Sequence, residues 1–501
     1  MKEVQEMEIK TSGAIFDGMT EKIIECEFLL PDYCQDISRV IKAEAVPRIK
    51  NQIIGEDTLS IEGLIEFRVF YISEGTDILN CINYANEYSL TFDIKGISDN
   101  SYILLKPITK NTLCRVVNSR KLSPKTQLYM GAKVFEYTPI EIMEPQNNEI
   151  QTRCCDYPLF NVVSHTVKPV LISDNIEISG LSASSVLKNN IRIACDENKL
   201  LNDKIVVRGT AYITTLYVDI NGEISQNEGE IPFTQIIDIE NTNEHTVCDI
   251  KYSVCDCMCI LKENEKGENG LLSVDIEARA LVRAYTNSQC SVVTDAYSTK
   301  KAYDFSRKKL YIESLVCNVH EEFIERLSFE NVDVLKTVDI YPTASISQIS
   351  LENNEIIAEG IIDVTLLYYN SDMQLLTSSK QFNFKRPIKI KEGYRKLRFE
   401  PDIEIISADC QALDKEAEIR ISMSLTGMIF SGNDIEAITG MQDSDNTDNS
   451  QKAYAVTLYF AKKGENLWNI AKRYCSTVDE IASLNELDNE VLSYDKMLII
   501  P

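Results

Sequence analysis

Positive charge is in short supply in this chain: 51 Lys and Arg stand against 77 Asp and Glu, a net charge of −26. That balance argues against nucleic acid and against anionic lipid surfaces as main partners, because both need a basic face. It suits a soluble protein, or one with basic partners. Long apolar runs are missing as well. No segment approaches the roughly 18 residues that a membrane span needs, so no membrane insertion is expected. The first residues, MKEVQEMEIKTSG, alternate charged and apolar side chains and lack the apolar segment of a secretory signal. A non-exported, cytoplasmic protein is therefore expected. Histidine is scarce: His165, His245 and His320 are the whole set, and none sits in a glycine-rich elbow or beside a serine or cysteine motif. No P-loop or dinucleotide fingerprint occurs. Asp32 and Asp36 flank Cys34, but acids are abundant and the trio reads as loop packing. No catalytic residue and no cofactor is assigned, and the chain is expected not to be an enzyme.

Cysteine is present, with 15 residues, yet no disulfide framework can be read from their spacing. An odd, scattered set fits a reducing compartment, where cysteine acts as a small buried hydrophobe. The conspicuous group is Cys255, Cys257 and Cys259, with Cys248 and His245 nearby. Alternate thiols on one strand face could ligate a metal, or could simply pack. Aligning Asp249 with Asp402 sets the three against Ala408, Cys410 and Ala412. That favours small buried side chains, and no metal ligand is assigned.

The chain is long enough for three or four domains of about 150 residues. A strand-rich motif occurs three times: LSIEGLIEFRVFYIS (Leu59 to Ser73), KIVVRGTAYITTLYVD (Lys204 to Asp219) and EIIAEGIIDVTLLYYN (Glu355 to Asn370). Each carries a glycine (Gly63, Gly209, Gly360) and a tyrosine eight residues on (Tyr71, Tyr217, Tyr368). Upstream lie Val40-Ile41-Lys42, Val186-Leu187-Lys188 and Val334-Leu335-Lys336. Two anchors at nearly constant spacing indicate duplication at domain scale. Within a copy, Ile61, Gly63, Ile65, Phe67 and Val69 share one face of a strand. The mid-strand glycine marks a bulge or a close backbone approach. The tyrosines are read as core, with a surface stack as the alternative. Further strands are expected over Gln127 to Tyr137, Leu272 to Tyr285 and Glu418 to Phe430. An Asp-Tyr arm recurs after the first two copies, at Asp156-Tyr157-Pro158 and Asp295-Ala296-Tyr297. The fold class is mainly β: three antiparallel, sandwich-like repeats with few helices before the tail.

On these triplets and glycine-to-tyrosine strands, the copies resemble the SPOCS domain repeated in spore-coat proteins of clostridia and bacilli. The tail carries a second resemblance. It has strand signals at Val456 to Phe460 and Met497 to Ile500. Between them a helical pattern runs from Asn466 to Tyr474, and another follows the capping pair Thr477 and Glu480. With Lys463-Gly464-Glu465-Asn466-Leu467-Trp468, Ile470-Ala471, Ile481, Asn485 and Leu498 to Pro501, this resembles a LysM domain, a small α+β (βααβ) unit. The expected division is 1–160, 161–310 and 311–430 for the repeats, 431–453 for an acidic flexible linker, and 454–501 for LysM.

The order of these parts is similar to clostridial coat morphogenetic proteins. That resemblance implies a scaffold in the mother cell at the forespore surface, whose LysM domain docks on the spore-coat basement-layer ATPase. LysM domains otherwise bind peptidoglycan or N-acetylglucosamine oligomers. The resemblance places a partner or glycan groove at Lys463, Gly464, Glu465, Asn466, Leu467, Trp468, Ser493, Tyr494 and Asp495. Two departures weigh on the glycan role: Glu465-Asn466 stands where the family usually has Asp-Thr, and Ser493-Tyr494-Asp495-Lys496 where it has Tyr-Pro-Gly-Gln. Losing proline and glycine changes the backbone there. Trp468, the only tryptophan, reads as core, as a half-exposed cap or as an interface anchor. Lys462, Lys463, Lys472 and Arg473 form a basic patch suited to an acidic partner. Self-association through exposed strand edges stays open.

Overall fold

A computed structural model describes residues 6–75, 78–144, 149–178, 182–264, 267, 269–352, 355–391, 393–413, 416–444 and 457–501. The first repeat consists of β1 (Glu6–Glu25), β2 (Phe28–Leu29), β3 (Ile37–Gly55), β4 (Thr58–Ser73), β5 (Leu79–Asp93), β6 (Tyr102–Asn118) and β7 (Lys121–Met143). The second has β8 (Ile150–Glu177), β9 (Ala183–Leu201), β10 (Lys204–Asp219), β11 (Ile224–Asp238), β12 (Val247–Glu263) and β13 (Asn269–Ser298). The third has β14 (Tyr303–Glu330), β15 (Lys336–Glu352), β16 (Glu355–Tyr369), β17 (Leu375–Lys389), β18 (Leu397–Leu413) and β19 (Glu416–Asp443). All ladders are antiparallel.

Each repeat is a sandwich. One sheet is a meander, β3-β4-β5, β9-β10-β11 or β15-β16-β17, with the glycine motif in the middle strand. The other places the repeat's last strand between its first and its penultimate one: β1-β7-β6, β8-β13-β12 and β14-β19-β18. Period-2 patterning explains the packing. Leu59, Ile61, Ile65, Phe67 and Val69 of β4 have no exposed surface, and each such side chain contributes about 1.5–3 kcal/mol on burial. The three tyrosines Tyr71, Tyr217 and Tyr368 are buried.

The motif glycine is where two strands and a ring crowd together. Gly63, Gly209 and Gly360 sit directly across from Tyr88, Phe233 and Phe384. A Cβ on Gly360 would lie 2.3 Å from the Phe384 ring and 2.4 Å from the Ser345 carbonyl oxygen. The neighbouring strand bulges beside each glycine, at Ile49/Asn51, Cys195/Glu197 and Ile346/Gln348. The two sequence alternatives, bulge and close approach, therefore coincide.

The first and last strands of the repeats run far beyond the sandwiches. β8, β14 and β19 each hold 28 residues, and β13 holds 30. A bulge marks where the ribbon leaves each sandwich: Ala14/Phe16, Ala284/Tyr285 and Leu315/Cys317. The three ribbons then pack on one another through Ile142, Leu159, Val292, Leu310, Ile312 and Ile435. The meanders also meet, through Phe70, Leu216 and Leu367 among others.

These ribbons change the expected boundaries. Repeat 2 begins at β8, before residue 160, because Asp156-Tyr157-Pro158 is strand rather than a trailing arm. Repeat 3 begins with Tyr303, inside the stretch assigned to repeat 2. Ser431 to Asp443, expected as the start of a tether, is instead the far half of β19, paired with β14. Its acidic composition conceals an alternation that buries Ile435, Ala437 and Ile438. Most of the remaining tether, residues 445–453, lies outside the described residues.

Where the repeats converge, charge is buried. Arg283 of β13 pairs with Asp249 of β12 and with Glu400 of β18, each at 3.3 Å. Its guanidinium also lies over the Tyr102 ring of repeat 1. Arg398 of β18 bonds Glu400, and bonds Glu313 of β14 at 2.6 Å, beneath Phe430. Burial opposes ionisation of Glu400, but the charges of Arg283 and Arg398 outweigh it and hold the carboxyl below its usual range.

Two outcomes follow from this packing. Gly360→Ala is expected to destabilise the chain by about 1–3 kcal/mol through overpacking, with part of the loss recovered in a Gly360→Ala/Phe384→Leu double variant, read by chemical denaturation. Arg283→Ala is expected to cost about 3 kcal/mol, because it leaves buried Glu400 with Arg398 alone and removes the partner of half-buried Asp249. A cost near zero in the same measurement would show that the network carries no stability.

Candidate functional site

The tail builds a compact unit from β20 (Thr457–Ala461), α1 (Leu467–Tyr474), α2 (Val478–Leu484) and β21 (Lys496–Ile500). Each helix starts where capping chemistry dictates. Asn466 accepts a hydrogen bond from the Trp468 backbone N–H at 2.8 Å. Thr477 and Glu480 form the reciprocal capping box expected from the sequence. Leu467, Ile470, Ala471, Ile481, Leu498 and Ile500 fill the core. β20 and β21 pair from Thr457↔Ile500 to Ala461↔Lys496.

The two loops of the expected groove are stitched together. The Gly464 N–H donates to Leu492 O at 2.8 Å, Leu492 N–H to Glu465 O at 3.0 Å, and Leu467 N–H to Glu490 O at 2.8 Å. Lys463 N–H donates to the Asp495 carboxylate at 2.7 Å. Glu465 is held by the Tyr459 hydroxyl and by Lys462 N–H. Gly464 has φ 89°, a left-handed conformation that favours glycine. Lys463, Gly464, Glu465, Asn466 and Asp495 are thus brought together, with Ser493 and Tyr494 exposed on the same loop as Asp495. Leu467 does not line the groove, since it is core.

Trp468 leaves the group altogether. It is 7% exposed and faces the ribbon of repeat 2. Its indole Nε1–H donates to Asp295 Oδ2 at 2.8 Å, and its ring meets Tyr297 edge-on with centroids 4.9 Å apart. Lys472 Nζ donates to Asp295 Oδ1 at 2.6 Å, Arg307 of β14 reaches the same oxygen at 2.7 Å, and the Tyr297 hydroxyl donates to Ser476 O at 2.8 Å. Burial raises the Asp295 pKa. The hydrogen bonds from Lys472 and Trp468, with the nearby cationic charge, more than reverse that, and the net shift is downward. Asp295 and Tyr297, two residues apart on an extended strand, therefore hold the tail domain against repeat 2. The Asp-Tyr motif and the lone tryptophan were both visible in the sequence. Their pairing was not, because it depends on which side of a 30-residue strand each residue occupies.

The other candidates disperse. Cys257 and Cys259 pack against the repeat 2 core with sulfurs 3.4 Å apart, and Cys255 sits at a bulge. The matching bulge in β18 lies at Ile405/Ser407. It sets Cys257 opposite Ala408 and Cys259 opposite Cys410, two residues from the alignment on Asp249 and Asp402. All 15 cysteines are free thiols. Among the described residues no group of three His, Cys, Asp or Glu side chains is arranged to hold a metal. His165 lies against Tyr102 and Tyr137, while His245 and His320 are exposed beside Glu244 and Glu322. Arg120 clamps the Asp32–Asp36 loop through both carboxylates and the Cys34 carbonyl. No helix among the described residues is long and apolar enough to cross a membrane.

Comparison with known families agrees with this geometry. Residues 182–262 match the family described as SipL, SPOCS domain, and residues 459–501 match the LysM domain. Neither a curated protein nor a solved structure matches the chain. The chain is thus a sporulation-related, LysM-containing protein, and both matched families are non-catalytic domains.

The docked tail carries its own reporter, since Trp468 is the only tryptophan. A lowered carboxylate pKa means the contribution of Asp295 is fully present above about pH 4 and is lost as pH falls through the depressed value. Tryptophan emission is expected to stay unshifted from neutral pH down to that range and to move to the red below it. Asp295→Asn should show the red shift already at neutral pH, and unchanged emission in this variant would count against the clasp.

Proposed function

We propose that this chain is a non-enzymatic spore-coat morphogenetic scaffold. The three repeats form the structural body, and the LysM domain docks on a protein of the coat's basement layer, the ATPase at the forespore surface. The observation that carries the reading is how the LysM domain is used here. The backbone N–H groups of Lys463, Gly464 and Leu492, in the two loops that flank the groove, are already spent between the loops. Burying a glycan there would gain few new hydrogen bonds. The aromatic side chain of Trp468 is spent as well, on the ribbon of repeat 2. The unit is seated on the scaffold by one face and keeps the rest free, which suits a fixed docking module. A mother-cell location accords with 15 free thiols.

The second reading is a glycan-binding protein of the wall or spore cortex. It rests on the LysM family itself, whose domains bind peptidoglycan and chitin-like glycans. Binding measured side by side separates the two. Saturable binding to the purified basement-layer ATPase, lost when residues 445–501 are removed and retained on purified peptidoglycan only weakly, is the expected outcome. Saturable retention on peptidoglycan with no ATPase binding would reverse the assignment. Trp468→Glu is a poor probe of docking, because it undoes the clasp as well.

A further inference from the structure

The sheet of the LysM domain is apolar on both faces. Tyr459, Ala461, Leu498 and Ile500 point to the helices. On the other face Leu458 is 56% exposed, Phe460 75%, Met497 49% and Ile499 38%. These four are cross-strand partners, Leu458 with Ile499 and Phe460 with Met497, so they form one contiguous patch. A two-stranded sheet has two edges, and here they differ. The outer edge of β21 is already occupied: Asn485 donates to Ile499 O at 2.8 Å and accepts from Ile499 N–H at 2.7 Å, as a neighbouring strand would.

That bond also fixes the register. Ile499 turns its N–H and C=O away from β20, so Leu458 opposite it, and Phe460 two residues on, must turn theirs away from β21. They point to the free edge of β20. No described group bonds the backbone of Leu458 or Phe460 there. At the end of the same strand, the exposed ammonium groups of Lys462 and Lys463 have no acidic partner among the described residues. The clasp at Trp468 and Lys472 occupies α1 and not this edge, which no described strand covers.

We propose that the free edge of β20 takes an extended segment of the protein partner as a third strand, a deeper statement that rests on the docking role given above. The incoming segment pairs its backbone with Leu458 and Phe460. It sets apolar side chains at alternate positions beside them, and an acidic residue beside Lys462 and Lys463. The patch selects the partner by side-chain chemistry, and the edge supplies directional backbone bonds. The groove loops are then a flank of the interface rather than its centre.

The test uses the full chain and the purified basement-layer ATPase as probe. The amide protons of Leu458 and Phe460 should exchange with deuterium more slowly once the ATPase is added. Leu458→Pro deletes an N–H that the β20–β21 ladder does not use, a placement proline tolerates on an edge strand. It should weaken binding by about tenfold, roughly one backbone hydrogen bond. Phe460→Ser should do the same through the patch, and unshifted Trp468 emission reports that the domain is still folded and docked. If both variants bind like the parent while Lys463→Glu abolishes binding, the loops are the contact; the edge inference falls and the docking role stands. If the unsubstituted chain does not bind the ATPase, both fall. A concentration-dependent dimer that Phe460→Ser dissolves would make a second copy the occupant and would equally overturn the proposal.

Discussion

The arrangement of the repeats depends on buried charge that is shared across their seam, where Arg283 of repeat 2 meets Glu400 of repeat 3. Arg283 comes from repeat 2, Glu400, Arg398 and Glu313 from repeat 3, and the ring over Arg283 from repeat 1. A charge removed from water without partners is very costly, and with a full set it is merely neutral. Its value here is specificity. Three sandwiches of similar shape could slide past one another if only Leu and Ile faced the seam. With the ions in place, the arrangement in which each carboxylate meets its guanidinium is strongly preferred over its neighbours.

That arrangement sets the three ribbons side by side. The strand bulges at the sandwich rims redirect the chain so that Ile142, Val292 and Ile435 reach a common core. Two-stranded ribbons are marginal alone, and three gain a shared apolar interior. The consequence for function is positional. Asp295 and Tyr297 sit near the end of β13, held by the ribbon beneath them, and the LysM domain lands there. The ribbon of repeat 2 holds the LysM domain in one orientation, in which the edge of β20 has no strand partner among the described residues.

Duplication is visible in the details that resist change. Each motif glycine faces a ring and a bulged neighbour, so substitution at any of the three meets the same clash. The seams have diverged more freely. Phe135, Tyr285 and Phe430 lie at the same ribbon bulge in the three repeats, yet the residue before the bulge pair varies among Lys133, Arg283 and Met428. Of the three, only Arg283 makes the buried pairs with Asp249 and Glu400.

Periodicity and capping chemistry by themselves determined the β class, the three copies, the strands through Gly63, Gly209 and Gly360, and both helices of the tail. These are local properties: a period of two, an N-cap, a glycine between β-branched residues. The families, too, were legible from short motifs. What only the tertiary structure decided was which distant segments share a surface. Ser431 to Asp443 reads as an acidic tether until β14 pairs with it, because pairing rather than composition makes a strand out of an ambiguous segment. Trp468 reads as core or anchor until Asp295, 173 residues upstream, claims its N–H. Which backbone groups of β20 face its unpaired edge was hidden for the same reason: it is read from Asn485 bonding Ile499 across the sheet, a contact that no spacing along the chain announces.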